Sequence, residues 1–161
     1  MKKRLFDSAE WIDALMGARI AFVCAYGVTR LQSNHWCGWH VHPHVELVLH
    51  RGGPGIIRFE DGREEQVSSG CWTMTPPNFK HDVFARHRHD DLCLMVDVGG
   101  RRPLPHHGVF RPALAPHLAE EMAELVHAPA RNRLALARRN FRAANLILAM
   151  FEGDGGGENA A

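Results

Sequence analysis

The chain has 161 residues, of which 45% are hydrophobic and 23% are charged, and its formal net charge at pH 7 is +1. This length is typical of one domain with a single core, and the near-neutral charge indicates no particular partner. No apolar run approaches the ~20 residues of a membrane span, and no secretory apolar segment follows the opening Met-Lys-Lys-Arg. We therefore expect a soluble, cytoplasmic protein with no membrane partner.

The N-terminal segment predicts a short helix and then a strand. Asp7 is placed to cap the helix, Glu10 completes a capping-box pattern, and Gly17 is placed to end it. β-Branched and aromatic residues at 19–25 predict the first strand, and residues 32–38 form a polar loop dotted with aromatics. The cysteines form no C-x-x-C pair, so we expect buried free thiols; they are Cys24, Cys37, Cys71 and Cys93.

The segment from His40 to Leu49 predicts a strand with one polar and one apolar face. Side chains alternate between the faces of a strand. The polar face carries His40, His42, His44 and Glu46, and the apolar face carries Val41, Val45, Leu47 and Leu49. Converging polar groups inside an apolar wall suit a barrel lumen, so this stretch predicts a pocket.

Short strands separated by Gly/Pro turns follow. Asp61-Gly62 predicts a hairpin turn, and the apolar patterns predict strands at 56–60, 63–67, 71–75, 81–85 and 92–98. This spacing is typical of an antiparallel barrel or sandwich, so the fold is predicted to be mainly β. The barrel with its N-terminal helix is assigned to residues 1–112, of which 99–112 form a linker.

The remaining chain predicts a pair of helices, at 114–126 and 131–151, in a unit of residues 113–152 followed by a flexible tail at 153–161. In the second helix an a/d seam is formed by Leu134, Ala137, Phe141, Ala144, Leu148 and Phe151. This seam predicts a homodimer through helix 131–151. The same helix has five arginines and the first helix three glutamates, which allows either an electrostatic match between the helices or a solvated basic face.

Several spacings in residues 40–81 resemble the two cupin motifs. A histidine pair two residues apart is followed four residues on by a glutamate and then by Gly52-Gly53, and Gly70 is followed six residues on by Pro76 and eleven on by His81. The sequence departs from the pattern at Asn78, where a glycine is expected; Asn tolerates positive φ best among the other residues. It also departs at Ala85, where asparagine is expected, and it lacks the glycine before His40.

This resemblance implies a cupin barrel, that is, a double-stranded β-helix or jelly roll, followed by a C-terminal pair of α-helices. It also implies one divalent metal held by His40, His42, Glu46 and His81. Imidazole and carboxylate ligands favour Zn, Ni, Fe, Mn or Co over Ca or Mg. The open alternative is that these groups hydrogen-bond a sugar or small acid without metal. His44, Trp72 and Met74 are further candidate ligand-binding residues, and the other histidines are predicted at the surface or in loops.

More narrowly, His-x-His-x-x-x-Glu-Leu, the Gly-rich turn, the hairpin, Pro-x-x-x-x-His and the helix pair resemble the N-terminal sensor domain of AraC-type transcription regulators over most of the chain. The resemblance implies an effector-sensing and dimerisation domain. Such regulators continue into a helix-turn-helix domain near residue 153, and none is present here, so no direct DNA binding is expected of this chain alone.

Two functions remain open. In the first, the barrel binds a small-molecule effector and the helices dimerise, with no catalytic residue. In the second, the chain is a stand-alone metal-dependent cupin enzyme of dioxygenase or isomerase type. The helix pair favours the sensor, and the complete ligand set favours the enzyme.

Overall fold

The computed structural model describes residues 19–30, 34–99, 108–110, 115–127 and 131–152. The predicted N-terminal helix and C-terminal tail lie outside these residues. The strands are β1 (Arg19–Arg30), β2 (His35–Trp36), β3 (Val45–Leu49), β4 (Gly55–Phe59), β5 (Glu64–Val67), β6 (Trp72–Thr75), β7 (His81–Ala85), β8 (His89–Gly99) and β9 (Gly108–Phe110). The helices are α1 (Ala115–His127) and α2 (Arg133–Glu152).

The strands form two antiparallel sheets. The first sheet has the order β1-β8-β3-β6-β9, and the second has the order β2-β7-β4-β5. The chain changes sheet at most of the connections between strands, which is the topology of a jelly roll. The predicted fold class, a mainly β jelly-roll barrel followed by a pair of helices, is confirmed.

Residues with a left-handed backbone lie in the β4–β5 and β6–β7 turns. Gly62 has φ 84° and closes the predicted β4–β5 hairpin, where its amide donates to the Phe59 carbonyl at 3.0 Å. Asn78 has φ 59°, which confirms that asparagine replaces the expected glycine in this conformation. The Asn78 amide donates to the His42 carbonyl at 2.8 Å, so the turn also fixes the segment that carries the paired histidines.

The main core lies between the first sheet and the two helices. It contains the apolar face of β3 (Val45, Leu47 and Leu49), residues of β6 and β8, and buried residues of both helices, among them Met122 and Ile147. The apolar face that the sequence placed outside the barrel is therefore covered by the chain's own helices. Burial of this face orients the opposite face of β3 toward the lumen.

The helices dock on each other and on β1 through polar contacts. The backbone N–H of Phe22 donates to Asn140 Oδ1 at 2.8 Å, and Arg139 donates to the Leu125 carbonyl at 3.2 Å. Arg142 pairs with Glu124, so the electrostatic match between the helices is confirmed for this pair. None of the described helices is long and apolar enough to cross a membrane.

The elements differ from the sequence prediction mainly at the sheet edges. The predicted loop at 32–38 contains β2, which pairs with β7, and the predicted linker at 99–112 contains β9, which pairs with β6. β1 continues to Arg30 along β8, with an irregularity between Phe22 and Cys24. Strands as short as β2 and β9 have little periodicity of their own, so the neighbouring strand determines where they form.

Candidate metal centre

Three imidazoles and one carboxylate converge at one point of the barrel. They belong to His40, His42, Glu46 and His81, and one ligand atom from each lies within 4.8 Å of the others. Opposite ligands on a single transition metal are separated by roughly 4 Å, so small side-chain rotations would complete one coordination shell. The four residues that the sequence resemblance implied as metal ligands are therefore together in space.

The backbone brings these residues together from both sheets. His40 forms an isolated bridge with His81, in which the two amides donate to the opposite carbonyls at 3.0 and 3.1 Å. Glu46 instead pairs with Thr75 and Met95 in the first sheet. The sequence predicted one continuous strand from His40 to Leu49, but β3 begins only at Val45. The histidine pair thus lies on a segment that crosses between the sheets.

Each of the three histidines uses Nδ1 for a hydrogen bond to a backbone carbonyl. The Nδ1 of His40 bonds to Gly38 at 2.9 Å, that of His42 to the His44 carbonyl at 2.8 Å, and that of His81 to Phe79 at 3.0 Å. A carbonyl only accepts, so Nδ1 must carry the proton in all three rings. In the neutral rings each Nε2 then presents a lone pair, which is the arrangement found around histidine ligands of metals.

The Glu46 carboxylate faces two of these Nε2 atoms. Its Oε2 lies 3.1 Å from His81 Nε2 and 3.4 Å from His42 Nε2. A lone pair and a carboxylate oxygen at these distances attract each other only if a proton or a cation lies between them. His42 Nε2 is also buried without a hydrogen-bond partner. The donor set of three imidazoles and one carboxylate therefore fits a divalent transition metal.

The electrostatics of the site keep Glu46 ionised. Burial alone would raise the pKa of Glu46, but the nearby His42 and His81 rings outweigh it and lower this pKa to about 2. The close approach of Glu46 raises the pKa of His42 above its ordinary value, although burial opposes this. An ionised carboxylate is the form that a metal requires, and protons compete with metal for His42.

A cavity of about 100 Å³ extends from this centre into the barrel. His40, Glu46 and His81 form one end. The other lining residues are Tyr26, Val28, Cys37, Val48, His50, Val83, His89, Asp91 and Cys93. The arrangement places a candidate metal beside a space for a small molecule, with both apolar and polar walls.

Three of the residues that the sequence proposed for ligand binding lie elsewhere. The His44 ring turns to Asp97, with Nδ1 2.5 Å from Oδ1, and only the His44 carbonyl serves the site. Trp72 and Met74 are fully buried in the core against the helices, where they pair with Leu49 and Leu47. Their position on β6 gives them the face opposite to the lumen, and the structure does not bring them to the pocket.

Sequence reasoning missed a second polar group in the cavity. His50 and His89, which were predicted at the surface or in loops, line it together with Asp91. The signal for His50 was present, because Glu46, Val48 and His50 share the parity of the lumen face of β3. His89 and Asp91 were hidden because β8 begins three residues earlier than the apolar pattern indicated.

Trp36 and Trp39 lie beside the histidine segment and are exposed. The Arg58 guanidinium lies 4.0 Å from the Trp36 ring centroid and 5.4 Å from that of Trp39. Arg58 also donates to Asp82, which is buried next to His81. Both indoles therefore pack on a cation that is fixed by the second sheet.

The strand order and this ligand cluster define a cupin-like jelly-roll barrel with a candidate metal centre. No family model and no curated protein matches the sequence. Among solved structures, YhaK from Escherichia coli is similar with a TM-score of 0.44 and 14% identity, over 60% of this chain and 52% of that one. The protein NMB1881 from Neisseria meningitidis is similar with a TM-score of 0.40 and 15% identity, over 49% of this chain and 84% of that one.

A structure of Bacillus subtilis oxalate decarboxylase, an enzyme with Mn(II) centres, has a TM-score of 0.40 and 21% identity over 53% of this chain. The matched region spans 26% of the oxalate decarboxylase chain.

Proposed function

We propose that this chain is a metal-dependent effector-sensing and dimerisation domain of the AraC type, which binds a small organic molecule in its barrel. The observation that carries the metal and ligand part is the orientation of the three imidazoles. Their Nδ1 atoms are occupied by carbonyls, so their Nε2 atoms and the ionised Glu46 are left to hold a cation beside the cavity.

The residues that would hold the metal are His40, His42, Glu46 and His81. A divalent transition ion bound there supplies a Lewis acid that attracts a carboxylate or another anionic oxygen. The protein fixes the histidine rings through backbone carbonyls. A small acid is therefore the class of effector that this end of the cavity fits best.

The sensor part of the proposal is supported by an unpaired stripe on α2. The side chains of Leu134, Phe141 and Leu148 are exposed, and the seven-residue spacing between them is that of a coiled-coil seam. Such a seam requires a partner helix with the same repeat. In the described part of the chain the other long helix, α1, uses its apolar residues in the core. The partner we propose is α2 of a second copy.

A metal-dependent cupin enzyme is the second candidate, and the complete four-residue ligand set next to the cavity favours it. The two functions differ in what happens to the bound molecule. A sensor binds its effector and releases it unchanged, whereas an enzyme stabilises a transition state and converts it.

A thermal-shift screen followed by ligand recovery tests the proposal. Metal-loaded protein is screened with small carboxylic acids, amino acids and sugars, because a ligand that binds only the folded state raises the apparent melting temperature. We expect a stabilising acid that Glu46→Gln no longer recognises, while the His44→Gln control retains the shift. The acid should be recovered intact after long incubation in air. Turnover that is lost in Glu46→Gln and in His81→Ala would instead establish the enzyme.

A further inference from the structure

The cavity contains a second polar group at the end opposite to the candidate metal centre. Asp91 is buried and accepts the backbone N–H of Arg51 at Oδ1, at 3.2 Å. Its other oxygen, Oδ2, lies 3.4 Å from His50 Nδ1 and 3.8 Å from His89 Nε2. These two separations are longer than a normal hydrogen bond, so Oδ2 is held close to both rings without a tight bond to either.

His50 and His89 are held in place by residues that do not line the cavity. The opposite ring nitrogen of His50, Nε2, is 3.1 Å from Thr73 Oγ1, and the backbone of His50 bonds to residues 70 and 71. His89 lies against Gly52, where a Cβ atom would come within 2.4 Å of His89 Cβ. The loop therefore approaches His89 as closely as it does only because residue 52 is glycine.

This group does not have the arrangement of a second metal site. In the described part of the chain, the side chains that converge as metal ligands are those around Glu46, and His50, His89 and Asp91 are not among them. Asp91 is instead a buried acceptor that faces a cavity. Its Oδ2 can accept from a hydrogen-bond donor of a bound molecule, such as an amine or a hydroxyl, in addition to the contacts with the two rings.

The two ends of the cavity differ in the chemistry that they bind. One end would hold a cation and so attract a carboxylate, and the other end has the Asp91 carboxylate and two imidazoles. Val28, Val48 and Val83 supply apolar parts of the same lining. Glu46 and His50 are four residues apart on extended chain, so their Cα atoms are separated by roughly 13 Å.

We propose that His50, His89 and Asp91 form a subsite for the distal donor group of a short bifunctional acid, whose carboxylate is held at the metal centre. This inference rests on the proposed metal-dependent ligand binding and specifies the ligand class. The cavity has a volume of about 100 Å³, which suits a small molecule. An amino acid or hydroxy acid with a three-carbon chain carries both a carboxylate and a distal donor group and meets these requirements.

The test uses three probes of equal size: 3-aminopropanoate, 3-hydroxypropanoate and butanoate. Their affinities for the full chain are measured by calorimetry after metal loading, and metal content is measured on the same samples. We expect at least one probe with a donor to bind about tenfold more tightly than butanoate, because a hydrogen bond to a charged group is lost with the methyl. The tighter-binding probe of 3-aminopropanoate and 3-hydroxypropanoate shows whether Asp91 accepts from an amine or from a hydroxyl.

Asp91→Asn should reduce this preference to about threefold or less while retaining metal. The matched control is Asp90→Asn, because the Asp90 side chain is half-exposed, does not line the cavity and pairs with Arg51 and Thr29. The control should retain the full preference. If the Asp91→Asn protein does not fold, the His50→Gln variant is measured in its place. The comparison of the three probes on the unaltered protein tests the subsite without any variant.

Equal affinity for all three probes, binding of none of them, or equal loss of preference in both variants would overturn the subsite. The metal content of the samples tests the metal centre independently of the probe affinities. Protein that holds no metal but still prefers a donor-bearing probe would retain the subsite and remove the metal centre. Protein that holds metal but shows no preference among the probes would retain the metal centre and remove the subsite.

Discussion

The Nε2 atom of His81 lies 3.1 Å from the Oε2 atom of Glu46, although 35 positions separate the two residues in the chain. The His81 Nδ1 atom is already bonded to the Phe79 carbonyl. The ring can satisfy both contacts as an imidazolium, or as a neutral ligand with a cation between Nε2 and the carboxylate. Whether a proton or a metal ion lies between His81 Nε2 and Glu46 Oε2 therefore decides between a buried hydrogen bond and a metal centre.

Removal of a ligand should remove the metal. We expect near-stoichiometric transition metal in the purified protein by elemental analysis, and less than about a tenth of it in His81→Ala, which loses a ligand atom, or in Glu46→Gln, which loses the ligand charge. His44→Ala is the matched control, since the His44 ring faces Asp97 and its contribution to the site is a backbone carbonyl. Equally low metal in all the proteins after metal-supplemented growth would contradict the metal centre.

A charge on the α2 stripe should dissociate the proposed dimer. Phe141 is 78% exposed and Leu134 is 61% exposed, so glutamate at either position is tolerated by the monomer but is costly in an apolar interface. Light scattering should show a dimer for the unaltered chain and a monomer for Phe141→Glu. Leu136→Glu, on the same helix but outside the seam, should remain dimeric. An unaltered chain that is monomeric, or a Phe141→Glu variant that remains dimeric, would rule out this interface.

Met74 should affect stability and not metal binding. It is fully buried between the first sheet and the helices, so Met74→Ala should lower the free energy of unfolding by about 2–5 kcal/mol through lost contacts and a cavity. Met74→Leu conserves volume and should cost less than about 1.5 kcal/mol. Chemical denaturation measures both. Metal content should be unchanged in the folded variants. A loss of metal in Met74→Leu would show that Met74 contributes to the metal site.

Gly52 should be intolerant of a side chain. A Cβ atom there would lie 2.4 Å from His89 Cβ and 2.5 Å from its Cα, so Gly52→Ala should force the loop and His89 apart, at a cost of about 1–3 kcal/mol. At Gly27 the nearest side-chain atom would be 3.8 Å away, which is ordinary contact, so Gly27→Ala is the matched control and should change stability little. Equal thermal unfolding of the two variants would show that the close approach is not required.

Tyr26 should ionise only at unusually high pH. Partial burial raises the pKa of Tyr26, whose exposed fraction is 38%, and the negative charge of Glu46 raises it further. It is the single tyrosine in the sequence, so absorbance at about 295 nm follows its ionisation alone. In the unfolded chain it titrates near pH ~10, and folded protein at pH ~11 should show little tyrosinate.

The sign of the linkage follows from the same shift. A pKa raised by folding means that the folded state retains its proton longer. The contribution of Tyr26 to stability is therefore complete below pH ~10 and declines as the pH rises toward the folded-state pKa. Tyr26→Phe should lack this decline. Identical absorbance titrations of folded and denatured protein would contradict the shift.

The sequence by itself determined a mainly β barrel or sandwich and the hairpin at Asp61-Gly62, because turn residues and apolar alternation are local signals. The jelly-roll class and the four candidate ligands were implied by the resemblance of residues 40–81 to the two cupin motifs, which is visible without coordinates. The left-handed conformation of Asn78 followed from its place in the motif and from the tolerance of asparagine for positive φ. The heptad pattern of α2 was also visible in the sequence, but the sequence does not identify the helix that packs against it.

Only the tertiary structure decided how those residues are used. The break before Val45 places His40 on the second sheet, and this depends on pairing with a strand about forty residues away. The parity of β6 buries Trp72 and Met74 against the helices, because register is set by the neighbouring strands and by which face needs cover. His89 and Asp91 reach the cavity for the same reason: long-range pairing extends β8 beyond its apolar run, and no local pattern encodes that extension.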